Sequence, residues 1–600
     1  MPRFATPVLQ RLLEAHPSLL PQAPDPDALA PDALVALYDR VLAELEPRMW
    51  QADDAGFAHW LDRYQALSRE QQALIDRSGV RERHDFILGI PVADRPAHVR
   101  NCLESILQQC RLYGYGGQDA AGTYAKFTVV LSEDSRDPAC AAAHRALAAE
   151  YSAQGLQVLH FDLPEQVALL QAIPEAERGQ LGRLLTTQPP ERFWRKGQAA
   201  NRNLCILKMR ALARDRANTL YYLVDSDQSF LVNRQAAAGE TAVPALNYFH
   251  TIDRLFRTQD IRVLTGKLVG DPPVSPAVMA ANFLDDVLAF LRRVAVLEPQ
   301  AACSFHAQDA PLPSDAAYHD LAKLFGFEAP TQAFDYRCPL VGPHDHAACL
   351  EHFSARLRAF FFGEHLTRRT GFQYAGPLAT LAPARTIYPG NTIASDAGLK
   401  YIIPFGHLRL RMSGPTAGRL IQAEIGARFA SANLPMLHTR TVADDLAGEF
   451  RPGVEQGADA AVDIADEFER QFFGDLMLFS VVGWLKQHDL AGLDDAQAVT
   501  AVVGQTEAKL LALYADKHAA VQARLAELAA WLAAPPAWPG AASQARLAGF
   551  LRDMQANFGD ASPAWRQIRS AAHRAMRRTQ IVDALTHYRA ERAAWDRLVS

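Results

Sequence analysis

Apolar positions recur at helical spacing through the first 82 residues. In Asp32-Ala-Leu-Val-Ala-Leu-Tyr-Asp-Arg-Val-Leu-Ala-Glu-Leu45 they form one stripe, and Pro31 is a start signal. Then the period shortens. Phe86-Ile-Leu-Gly-Ile-Pro91, Phe127-Thr-Val-Val-Leu131, Leu156-Gln-Val-Leu-His160 and Leu220-Tyr-Tyr-Leu223 read as buried strands. Helices are expected between them over Pro96–Cys110, Ala139–Tyr151 and Gln198–Arg214. A further strand is expected at Ile261–Thr265. Residues 300–370 read as an irregular insertion rich in Pro and His, and 386–440 as loops and short elements. From residue 460 the pattern is helical: Phe468, Phe472, Leu476 and Phe479 share one helix face. A Pro/Gly break falls at 535–540.

Strands alternating with helices imply an α/β fold with a mostly parallel sheet covered on both faces. The expected division is an N-terminal helical region (1–82), a sheet domain (83–445) and a C-terminal helical region (446–600). The 600 residues exceed what a single core organises. A net charge of −6 without a long basic run disfavours nucleic acid as a partner. Seven scattered cysteines point to reduced thiols and a cytoplasmic protein. Neither a signal peptide nor a membrane-spanning segment is read, so a membrane-bound acceptor would be met peripherally, at the surface.

The chemistry concentrates in Val224-Asp225-Ser226-Asp227-Gln228. Two carboxylates one residue apart follow an apolar strand, at the end where open α/β sheets bind ligands. Carboxylates joined with ligand phosphates are how proteins hold Mg²⁺ or Mn²⁺. The same tripeptide also serves as a turn and helix cap.

The flanking residues resemble a GT-A glycosyltransferase, closest to the family-2 group. Ile90-Pro91-Val-Ala-Asp94-Arg95-Pro96 followed by Asn101-Cys-Leu-Glu-Ser-Ile106 is similar to that group's opening strand, loop and helix. Val129-Val-Leu-Ser-Glu133-Asp134 is similar to its second strand, whose terminal acid meets the nucleobase. Lys196-Gly197-Gln-Ala-Ala-Asn201-Arg202-Asn203 resembles its Gly-x-x-x-Ala-Arg-Asn helix start, with Asn201 in place of Ala. Asp225-Ser226-Asp227 resembles its metal motif.

That resemblance implies a Rossmann-like GT-A sheet domain and nucleotide-sugar binding by Pro91, Asp94, Arg95, Glu133, Asp134, Lys196, Gly197, Asn201, Arg202, Asp225 and Ser226. Asp227 would ligate Mn²⁺ or Mg²⁺, with Asp225 on the ribose or a metal-bound water. The helix start bracketed by Lys196 and Arg202 suits a pyrophosphate. His438, in Asn433-Leu-Pro-Met-Leu-His438-Thr-Arg440, is a third candidate ligand, as GT-A enzymes often place one there. Gly414-Pro415 stands where family-2 enzymes carry an acidic pair, so Asp396 and Glu424 are left as candidates for the catalytic base.

The implied activity is sugar transfer from a nucleotide-diphosphate sugar to an acceptor hydroxyl, with inversion. The acceptor is open between glycan, lipid-linked and small molecule, and a homo-oligomer is left open. The rivals are a retaining transferase, a nucleotidyltransferase and a non-catalytic scaffold. The first strand lacks the glycine-rich loop that a nucleotidyltransferase would carry. Two further clusters stand apart. Cys338, His344, His346, Cys349 and His352 have the residue types of a zinc site, without its usual spacing. Arg566, Arg569, His573, Arg574, Arg577 and Arg578 form a basic helix face, either plain surface or a contact for an anionic acceptor.

Overall fold

The apolar runs after residue 83 form four parallel strands. They are β1 (Asp85–Val92), β2 (Phe127–Glu133), β3 (Gln157–Phe161) and β4 (Thr219–Val224). Phe86 lies opposite both Phe127 and Leu220, and the central strands are buried almost throughout, as a sheet covered on both faces requires. Helices Pro96–Tyr113, Pro138–Ala153 and Gln198–Leu212 connect them. The first two carry Pro in their first turn, and Asp137 caps the second. This is the computed structural model of the chain, and it describes residues 5–80, 82–237, 239–305, 336–387, 390–403, 405–442, 454–456, 461–464, 466–535 and 540–600.

The remaining strands are short: β5 (Gln228–Ser229), the hairpin β6 (Val232–Ala236) and β7 (Gly239–Val243), β8 (Val263–Thr265), β9 (Leu268–Gly270), β10 (Ala382–Pro383), β11 (Asn391–Ser395), β12 (Phe429–Ser431), β13 (Met436–His438) and the pair β14 (Glu455–Gln456) and β15 (Val462–Asp463). The main sheet has eight strands in the order β10-β12-β8-β11-β4-β1-β2-β3. The sheet is mixed: six of its strands run in one direction and two against them. β11 runs antiparallel between β4 and β8, and β10 antiparallel to β12. The chain meets β11 at the carboxyl end of β4, where Asn391 pairs with Val224, so β11 can only run back down the sheet. A second sheet, β5-β13-β9, sits beyond that same end.

One face of the sheet buries Phe86, Leu88 and Ile90 against helices Pro96–Tyr113 and Tyr248–Thr258. The other buries Ile87, Val130 and Tyr221 in a core that continues without a break to Phe472, Val521 and Trp595. The C-terminal helices, expected as a separate region, are therefore the cover of this face. They are joined to it by, among others, Trp595 Nε1 to the Leu399 carbonyl (3.3 Å) and Tyr588 Oη to Glu424 (2.6 Å). The N-terminal helices keep a core of their own around Val35, Tyr38 and Leu67, and dock through Tyr64 against Tyr113.

Two readings of the chain change. Helices His346–Arg356 and Ala359–Phe362 occupy the segment expected to be irregular, because Phe353, Phe360 and Phe361 have a core to enter; residues 306–335 lie outside the described residues. The basic face is largely neutralised. Arg577 and His573 meet the buried Glu469, and Arg574 and Arg578 meet the buried Glu507. These four form an ion-pair seam between helices. No helix among the described residues is long and apolar enough to cross a membrane.

Candidate functional site

Asp225 and Asp227 leave β4 where the main sheet ends and β5 begins, so their carboxylates face different neighbours. Asp225 accepts from Arg202 Nη2 at 2.5 Å and from Gln198 Nε2 at 3.5 Å, both on the helix that follows Gly197. Gly390 lies against it at φ +86°, and a Cβ there would stand 2.6 Å from the Asp225 nitrogen. Only glycine allows that approach.

Two guanidinium groups and an imidazole converge on Asp227 Oδ2. Arg95 Nη1 is 3.2 Å away, Arg440 Nη1 3.4 Å and His438 Nε2 3.4 Å. Burial alone would raise the Asp227 carboxyl; the charge of His438, then its hydrogen bond, then Arg95 and Arg440 hold it well below the usual carboxylate range. His438 sits on β13, paired with Gln228 on one side and Gly270 on the other. Its Nδ1 lies 2.7 Å from the Asp271 carbonyl, which fixes the ring with Nε2 toward Asp227. Arg440 is two residues further, hence on the same side of the extended chain. Its guanidinium also reaches the Pro272 and Val274 carbonyls. Arg95 donates to the Arg440 carbonyl at 2.8 Å and contacts His98 Nε2 at 2.5 Å. Burial, then the charge of Arg95, lowers the His98 imidazole to about 4, so it accepts that bond as the neutral ring.

Of the residues read as nucleotide-sugar contacts, Arg95, Arg202, Asp225 and Ser226 lie in or beside this cluster; Asp227 and His438, read as metal ligands, lie at its centre. Arg440 was missed, although its spacing from His438 could have shown it. Others are committed elsewhere. Asp94, at φ 50°, accepts from the Arg136 and Asp137 N–H groups at 3.1 and 2.9 Å and so shapes the turn after β2. Glu133 is held by His144 at 2.9 Å and His160 at 3.0 Å. Burial opposes its charge, but bonds to His144 and then His160 prevail and keep it below the usual carboxylate range. Lys196 binds Asp134 at 2.8 Å and the Glu133 carbonyl at 2.9 Å, which takes it away from the helix start. Burial raises the Asp134 carboxyl to about 7. Asn201 accepts from the Ser132 hydroxyl and donates to its carbonyl, both at 2.8 Å, and Pro91 pairs with Ser132 inside the sheet. These residues build the wall behind the cluster.

The two candidate bases are corrected. Asp396 follows β11 at the opposite end of the sheet and pairs with Arg210 at 2.9 Å. Ser395, just before it, lies opposite Leu220, five residues of β4 or about 17 Å short of Asp225. Glu424 ends the helix Ser413–Ile425, where it accepts from Tyr588 and faces Arg592 at 3.5 Å. Both are structural contacts.

Asp227 and His438 together offer an oxygen and an imidazole nitrogen to a divalent cation, with the imidazole already oriented by its carbonyl partner. An imidazole nitrogen suits Mn²⁺ better than Mg²⁺. Beside Asp225 a cavity of about 40 Å³ is lined by Arg202, Gly390, Thr392, Ser413 and Gly414. A cleft of about 410 Å³ opens on the other side, between helices Pro96–Tyr113 and Pro138–Ala153, starting at Pro96 and Val442. No protein-family model, curated protein or solved structure matches this chain.

Proposed function

We propose that the chain is a metal-dependent glycosyltransferase of the GT-A type that uses a nucleotide-diphosphate sugar. The observation that carries the reading is the convergence of Asp227, His438, Arg95 and Arg440 at the carboxyl end of the central strand β4. That position is the ligand edge of an open α/β sheet, and the cluster mixes metal-type donors with phosphate-type donors.

In the form described, each carboxylate is neutralised by an arginine. A nucleotide sugar needs roughly 300 Å³ or more, so the small cavity beside Asp225 must widen on binding. The pairs supply a way to do so: a diphosphate attracts Arg95, Arg202 and Arg440, and releases Asp225 and Asp227 from them. A divalent cation held by Asp227 and His438 would neutralise the leaving diphosphate. Arg95 and Arg440 would hold its oxygens, which is electrostatic stabilisation of a departing anion. His98, neutral, orients Arg95. Asp134 and Lys196 secure the turn after β2, where the base would lie. With Asp396 and Glu424 elsewhere, no residue is assigned as base, and proton NMR of the product's anomeric centre decides between inversion and retention.

The test is a thermal-shift panel on the full chain with Mn²⁺ or Mg²⁺ and nucleoside diphosphates of each base, followed by assays for nucleoside-diphosphate release from nucleotide sugars. Metal-dependent stabilisation by one base and release of that diphosphate are expected. Pyrophosphate release from a nucleoside triphosphate would make the chain a nucleotidyltransferase. No stabilisation by any pair would leave the scaffold reading.

A further inference from the structure

Far from this cluster, three cysteines meet. Cys303, Cys338 and Cys349 place their sulfur atoms within 4.8 Å of one another. They come from three local settings: an extended segment after the helix Ala280–Val294, a second extended segment, and the first turn of the helix His346–Arg356. Cys338 and Cys349 are buried. A fourth group joins them. His344 Nε2 lies 3.2 Å from Cys338 Sγ, and His344 Nδ1 lies 2.8 Å from the Gly342 carbonyl. A ring whose far nitrogen is fixed by a carbonyl presents the near one as a ligand.

We propose that Cys303, Cys338, His344 and Cys349 bind a structural zinc ion. Tetrahedral zinc with Zn–S near 2.3 Å and Zn–N near 2.0 Å sets ligand atoms roughly 3.5–3.8 Å apart. The three sulfurs, within 4.8 Å of one another, need only draw together, whereas His344, which stands beside Cys338, must swing toward Cys303 and Cys349 to close the tetrahedron. Thiolate-rich sites select zinc over Mg²⁺ and Mn²⁺, so this site and the carboxylate–imidazole cluster do not compete for one ion. Four protein ligands close the shell and leave no position for substrate. Binding converts three thiols to thiolates and releases three protons to solvent.

The backbone is already arranged around the site. The Cys303 N–H donates to the His344 carbonyl at 2.9 Å, and the Cys338 N–H to the Phe305 carbonyl at 2.5 Å. The other histidines of the segment are taken. His346 Nδ1 lies 2.9 Å from the Glu298 carbonyl, and its Nε2 accepts from the Ser304 N–H at 3.2 Å. His352 Nδ1 is 2.9 Å from Tyr336 Oη. The ion therefore ties the chain at 303 to the chain at 338–349 and secures the aromatic packing of Phe305, Tyr336 and Phe353 on Phe290. Clipping a long loop is where a metal contributes most to closure entropy.

The full chain, purified reduced and without chelator, should carry one zinc by plasma mass spectrometry. After removal of zinc, Co²⁺ should give intense tetrahedral ligand-field bands and a thiolate charge-transfer band. Cys303→Ser and Cys349→Ser should each lower zinc affinity by about 100-fold or more, while His346→Gln should retain it. Should the serine variants fail to fold, the cobalt spectrum of the unaltered chain still decides. A chain that binds neither zinc nor cobalt, holds iron instead, keeps full zinc affinity in Cys303→Ser, or shows a disulfide within the triad by non-reducing mass analysis overturns the proposal.

Discussion

Asp227→Asn keeps the shape of the side chain and removes its charge. Its Oδ2 stands 3.2 Å from Arg95 and 3.4 Å from both Arg440 and His438. At an effective dielectric of about 20, a unit pair at such a distance is worth about 5 kcal/mol before solvation. Solvation removes much of this, and losing one partner of a buried pair costs about 3–5 kcal/mol. Arg95 keeps the Arg440 carbonyl and His98, and Arg440 keeps the Pro272 and Val274 carbonyls. The loss should therefore sit at the lower end, about 3 kcal/mol. Loss of the carboxylate should also weaken Mn²⁺ binding in the presence of nucleoside diphosphate by about 100-fold, or about 2.7 kcal/mol. Denaturant unfolding reads the first quantity, and the electron paramagnetic resonance signal of free Mn²⁺ during titration reads the second. Near-ultraviolet circular dichroism confirms that the variant is folded. A folded variant with unchanged Mn²⁺–nucleotide affinity would refute the metal role; an unchanged unfolding free energy would refute the ion-pair reasoning.

His438→Ala should reduce Mn²⁺ affinity more than Mg²⁺ affinity, because only the softer ion gains from imidazole; an unchanged ratio in parallel titrations refutes its ligand role. Asp475 is buried and accepts from Tyr514 at 2.6 Å and Gln471 at 2.8 Å, and burial raises its carboxyl to about 6. The folded chain thus holds a proton that the unfolded chain releases near pH 4. About 3 kcal/mol of stability present below pH 4 should be lost as pH rises to about 6, and Asp475→Asn should remove that slope from unfolding curves measured across the range. Truncation after Ala534 strips Phe550, Ile581 and Trp595 from the shared core and should abolish cooperative unfolding and expose dye-binding apolar surface; a folded, monodisperse product would show that the C-terminal helices are a separable unit.

Much of the local structure was legible from the chain alone. The period-2 and continuous apolar runs placed β1 to β4 within a few residues, and the prolines and the glycine at 197 marked helix starts. The Asp225–Asp227 pair was readable as a strand-end feature because strand, turn and acids are neighbours in sequence. Three things were decided only by tertiary structure. The antiparallel insertion of β11 depends on where the chain stood after a long excursion, and its pattern of side chains is the same in either direction. Arg440 and Cys303 gain meaning only beside Asp227, 213 residues away, and Cys338, 35 residues away. Asp396 and Glu424 looked available because a sequence shows an acid without its partner; Arg210 and Tyr588 claim them across 186 and 164 residues. Periodicity is a short-range property set by backbone geometry, whereas these pairings follow from which faces the one packed arrangement brings together.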